Sequence, residues 1–162
     1  MGVQYDAGIW TFDAIGTVIE HNDVYGMLGG EADGTGGDTT TTAALRNAGS
    51  FKFMNNIVVA TRPQSTPFPC GPNCSHNLFW GLPPAGHDAL QADPLFTGDP
   101  PGTGSHRAAL AASRAIAREF ELRPASPALG AGADVPYSAA GDFFGNPIPA
   151  PPAIGCCQPK SR

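Results

Sequence analysis

Phe53-Met54-Asn55-Asn56-Ile57-Val58-Val59 is the stretch on which the reading of the fold turns. An apolar residue stands three before Asn56, and an apolar, β-branched run follows it. The same arrangement occurs at Ile19-Glu20-His21-Asn22-Asp23-Val24-Tyr25. It returns, less completely, at Cys74-Ser75-His76-Asn77-Leu78-Phe79-Trp80. Asn22 precedes Asn56 by 34 residues, and Asn56 precedes Asn77 by 21. Each copy reads as two short strands meeting at a corner. Asn suits the corner because it tolerates left-handed backbone angles and bonds to nearby main chain. Strand alternation then puts Ile19 and Val24, Phe53 and Val58, and Phe79 on the inside.

A step of 21 residues is about one coil of a parallel β-helix, in which short strands stack from coil to coil. Stacked Asn side chains would hydrogen-bond along such a stack. The longer step is one coil with an insertion, and the Gly-rich polar run from Gly29 to Thr42 is its natural home. The competing reading is three ordinary strands of an antiparallel sheet.

Outward from the repeats, Gly8-Ile9-Trp10-Thr11-Phe12-Asp13-Ala14 alternates like a preceding strand, and Leu90 to Phe96 reads as a following one. Ala-rich residues 107–118 favour a short helix after Ser105. Phe120-Glu121-Leu122 reads as a strand. Pro147, Pro149, Pro151 and Pro152 make the end of the chain stiff and extended. The expected organisation is therefore residues 1–133 as coils and closing segment, and 134–162 as a Pro/Gly-rich tail, mostly coil.

Composition narrows the function. The chain has 162 residues and a net charge of −5, with only 14% charged residues but 21 Gly and 17 Pro. Nine basic residues against 14 acidic ones give no footprint for nucleic acid. No apolar run is long enough for a membrane span, and the first residues are too polar for a signal peptide. Of the cysteines, Cys70 and Cys74 are spaced for a local disulfide. Free thiols and half of a zinc site are the alternatives, and adjacent Cys156-Cys157 make a poor second half.

Asp93-Pro94-Leu95-Phe96, followed by Phe120-Glu121-Leu122-Arg123-Pro124-Ala125-Ser126-Pro127-Ala128-Leu129-Gly130-Ala131-Gly132 and by Ile154-Gly155, resembles the closing segment of right-handed parallel β-helix proteins of the pectate-lyase-like type. The likeness covers residues 8–28, 51–96 and 119–155. It implies an all-β chain: a right-handed parallel β-helix of few coils, with a short Ala-rich helix and an irregular Pro/Gly-rich tail. It also implies a C-terminal portion of a longer protein, so that missing N-terminal coils or self-association would cover the open end. By the same resemblance the protein is secreted and acts on polysaccharide as a lyase or glycosidase. The alternative is a non-catalytic β-helix module for glycan binding or capping.

Candidate residues follow from both lines. Lyases of this type remove a proton beside a uronate carboxyl, with calcium or a cationic side chain neutralising the carboxylate; calcium is the cofactor the resemblance implies. Glu31, Asp33 and Asp38 are the local carboxylate cluster and read as a calcium or sugar contact, or simply as a solvated loop. His21 and His76 each stand one before the repeat Asn. On one face of a stack they would lie about 10 Å apart, too far for one metal but suited to an extended sugar. Exposed turn histidines are the plainer reading. Spacing singles out no catalytic residue; Arg46 and Lys52 are the basic side chains nearest the middle copy.

Overall fold

The computed structural model describes residues 15–25, 50–60, 65, 67–68, 71–98, 117–135 and 141–159. Seven strands run through them: β1 (Ile15–Glu20), β2 (Asp23–Tyr25), β3 (Ser50–Met54), β4 (Ile57–Val59), β5 (Cys74–Ser75), β6 (Leu78–Trp80) and β7 (Leu90–Gln91). They form two parallel sheets, ordered β1-β3-β5 and β2-β4-β6-β7. The pairs β1–β2, β3–β4 and β5–β6 each divide between the two sheets, and the corner within each pair carries one of the three Asn; β7 follows β6 in the same sheet. Antiparallel pairing of the three copies is ruled out by the registers, which are parallel throughout.

Register equates the copies. Glu20 faces Met54 and Asp23 faces Ile57, which places Asn22 beside Asn56. Met54 faces Ser75 and Ile57 faces Leu78, which places Asn56 beside Asn77. Leu78 in turn faces Leu90, so Ala89 occupies the fourth corner.

The amides form a one-way ladder. Asn22 donates from its backbone N–H and its Nδ2 to Asn56 Oδ1, at 2.9 and 3.1 Å. Asn56 donates in the same two ways to Asn77 Oδ1, at 2.9 and 3.2 Å. Asn56 Nδ2 also reaches the carbonyls of Ile19 and Met54, and Asn77 Nδ2 that of Phe53. Every bond closes a polar group that the turn would otherwise bury unpaired. Ala89 has no amide, and the ladder stops there.

Side-chain patterning explains the core. β3 alternates: Phe51 and Phe53 are buried and Lys52 is exposed. Phe51 and Phe53 join Ile19, Val24, Val58, Phe68 and Phe79 between the two sheets. The rings of Phe53 and Phe68 stack at 4.8 Å. β4 is buried at every position, because it packs on both faces. Val58 points between the sheets, whereas Ile57 and Val59 meet Leu78, Phe96, Ala128 and Ile154 on the far side.

The sequence expectation of a right-handed parallel β-helix is corrected here. The described residues make two small sheets, with no closed solenoid among them. Each copy supplies two strands, and no third sheet occurs among the described residues. The connections hold Pro67 and Pro72 before β5, and Gly81, Pro83, Pro84 and Gly86 before β7. Proline offers no N–H to a ladder, and in the segment before β7 pairing is limited to a single parallel bridge of His87 to Ser75. Irregular chain from 117–135 and 141–159 covers the outer face of the four-stranded sheet.

That cover joins the segments singled out in the sequence. Ser126 Oγ donates to the Pro94 carbonyl at 2.6 Å, and Phe96 and Leu122 form an isolated antiparallel bridge where two strands were expected. Helix is described only at 117–119; the rest of the expected helix over 107–118 lies outside the described residues. The expected strand at 8–14 lies outside them too. The Pro-rich end forms no strand, yet Ala153 and Ile154 are fully buried. Asp142 organises it: Oδ1 accepts from the N–H groups of Phe144 and Asn146, and Oδ2 from that of Gln158.

Candidate functional site

The residue before each corner position, Asn22, Asn56, Asn77 or Ala89, is in the left-handed region. His21, Asn55, His76 and Asp88 have φ of 54, 56, 51 and 51°. They form one file across the strand corners, with equal register to the Asn ladder. The file is covered at one end and open at the other.

At the covered end stands His21. Asn55 beside it is fully buried, and reciprocal bonds fix its amide: Ala133 N–H donates to Oδ1, and Nδ2 donates to the Ala133 carbonyl, both at 2.8 Å. The edge of the amide facing His21 is therefore the donor, and His21 Nε2, 3.2 Å away, accepts. Burial pushes the His21 imidazole below its ordinary value, and the neighbouring Glu20 carboxylate offsets only part of that. A neutral imidazole accepting through Nε2 satisfies both facts. This histidine is locked into the structure.

The open end holds His76 and Asp88. Their side chains are 32% and 70% exposed, with His76 Nε2 3.8 Å from Asp88 Oδ2. His87, also exposed, bridges Ser75 in the same register. Trp80 closes β6 and is 44% exposed. It lies four residues from His76, a span of at most about 13 Å at strand rise. Exposed Gln91 is on β7, the last strand of that sheet. This stretch therefore carries imidazole, carboxylate and amide groups and, within about 13 Å along the chain, one exposed aromatic ring.

A second cluster lies where the chain end crosses the β1–β2 corner. Asp23 Oδ1 accepts from the Cys156 N–H at 3.3 Å. Its Oδ2 is buried without a hydrogen-bond partner, as is Glu20 Oε2. Burial drives the Asp23 carboxyl up to about 8, so it is mostly protonated at neutral pH. Cys156 and Cys157 are joined to each other by a disulfide next to it.

Of the candidates named from sequence, His21 and His76 do share one file; His76 is partly exposed, with its Nδ1 buried, and stands 3.8 Å from the exposed Asp88 carboxylate. Glu31, Asp33, Asp38 and Arg46 lie outside the described residues. Cys74 is disulfide-bonded, while Cys70 lies outside the described residues; no free cysteine occurs among those described. Lys52 is exposed on β3, away from the corner file. Sequence reasoning missed Asp88 because Ala89 breaks the Asn signature that marks the other corners. It missed the Asp23–Cys156–Cys157 cluster because the partners are 133 residues apart.

No described helix is long and apolar enough to cross a membrane. The chain matches no protein-family model, and no curated protein is detectably similar to it in sequence.

Proposed function

We propose that this chain is a non-catalytic polysaccharide-binding module of an exported protein, and that the strip His76, Trp80, His87, Asp88 is its sugar-contacting surface. The observation that carries this reading is the part-exposed His76–Asp88 pair on the same stretch of chain as the exposed indole of Trp80. Sugar rings present apolar C–H faces and a rim of hydroxyls. An aromatic face takes the first, and paired polar groups take the second. Trp80 is among the few large apolar side chains exposed in the described residues, and stacking would give that exposure a use. Disulfides at Cys74 and Cys156–Cys157 support an oxidising location.

Affinity electrophoresis through gels containing uronate and neutral polysaccharides tests the reading. The protein should be retarded in at least one gel, and Trp80→Ala should abolish retardation while leaving the melting curve unchanged. Equal mobility of both proteins in every gel would overturn it. Release of unsaturated uronate, read by ultraviolet absorbance, would instead favour an enzyme.

A further inference from the structure

The cluster at the β1–β2 corner has chemistry that sugar binding does not use. Asp23, Cys156 and Cys157 each bring one ligand atom to within 4.8 Å of the others. Asp23 Oδ2 is buried and has no partner. Such an atom costs free energy unless something answers it. The chain end is fitted closely over it. Gly155 has a φ of +99°, and a Cβ there would meet Asp23 Oδ1 at 2.6 Å and Ile57 Cδ1 at 2.7 Å. Two bonds hold this segment independently of the disulfide: Gly155 N–H to the Asn55 carbonyl at 2.8 Å, and Ile154 N–H to the Ala128 carbonyl at 2.9 Å.

We propose that, once a dithiol reductant opens the Cys156–Cys157 disulfide, the two Sγ atoms and the Asp23 carboxylate form a three-ligand site for a thiophilic divalent cation of the zinc class. The exchange balances simply. The reductant's two thiols become its own disulfide, and two electrons and two protons pass to Cys156 and Cys157. The cation then displaces the protons of both thiols and of the Asp23 carboxyl. Two thiolates and one carboxylate suit zinc or cadmium, with a fourth position left for water. Adjacent cysteines alone grip a metal poorly; the buried carboxylate is the ligand that sequence spacing cannot reveal. Oxidation closes the site, so cation binding is gated by redox state. The proposal is independent of the carbohydrate reading.

Cadmium titration of the full chain tests it, reading thiolate-to-cadmium charge-transfer absorption after reduction by dithiothreitol and its removal without oxygen. The reduced protein should bind cadmium with a charge-transfer component that the oxidised protein lacks. Cys156→Ser with Cys157→Ser should remove that component even if other thiols contribute their own. Asp23→Asn should keep the absorption but weaken affinity about tenfold or more. The proposal fails if the double variant keeps the full absorption, or if Asp23→Asn binds as tightly as the parent. It also fails if reduction alone abolishes the near-ultraviolet circular dichroism, because the three ligands are then not held together.

Discussion

Asn56 concentrates more of the fold's polar accounting than any other described side chain. It accepts from Asn22 and donates to Asn77 and to two carbonyls, in buried or part-buried surroundings. Asn56→Ala would strand several of those groups at once. Each buried unpaired group costs about 1–3 kcal/mol, so the loss should reach ~3 kcal/mol or more, read as a lower urea midpoint. Asn22→Ala should cost less, since its side chain is only half-buried and sits at the start of the ladder. Asp23 gives the opposite sign. A carboxyl whose folded value lies above its unfolded value adds stability at low pH and loses it as pH rises. The window here runs from its ordinary 3.8 to about 8. Asp23→Asn keeps the acceptor for the Cys156 N–H and cannot ionise. It should stabilise the oxidised protein at pH 7 by roughly 1–3 kcal/mol and flatten its stability between pH 4 and 8. Thermal melts across that range, parent against variant, check both statements; a less stable variant at pH 7 would contradict them.

At the scale of elements, the two-strand corner was legible in sequence for a physical reason. Asn followed by a short apolar strand marks the corner, although the left-handed angle falls on His21, Asn55 and His76, one before the Asn to which the sequence assigned it; the burial of Ile19, Val24, Phe53, Val58 and Phe79 matches the alternation read from it. What was not legible is how the corners connect. A step of 21 residues fixes the distance between turns but not whether the intervening chain pairs as a third wall, and no third sheet occurs among the described residues. β7 escaped the pattern because a corner needs only a residue that tolerates the left-handed region, which Asp88 also supplies. Packing of the chain end is equally silent in sequence, since irregular backbone has no period. Gly155 shows how tight that packing is. Gly155→Ala should destabilise clearly more than Gly145→Ala. Both have positive φ, but a Cβ at Gly145 meets nothing within 4 Å. Parallel urea titrations would show the order, and equal losses would mean that the end does not press on Asp23 and Ile57.

For the whole molecule, the two sheets and the cover over them behave as one structure. Ile154 is fully buried against Ile57 and Leu78, although it lies in the segment expected to be loose. Ile154→Ala should therefore cost about 2–5 kcal/mol, as a core truncation does; a change under ~0.5 kcal/mol would show that the end is a dispensable tail. The same cover hides the His21 end of the corner file and leaves the His76 end open, which is why sugar recognition is assigned to the β6–β7 side. The most direct measurement is an amide NMR titration of the oxidised protein with oligosaccharides cut from whichever polysaccharide retards it. The account predicts saturable shift changes grouped at residues 75–80 and 86–92, with residues 141–159 unmoved. Shifts centred on the chain end, or none at all at saturating sugar, would contradict it.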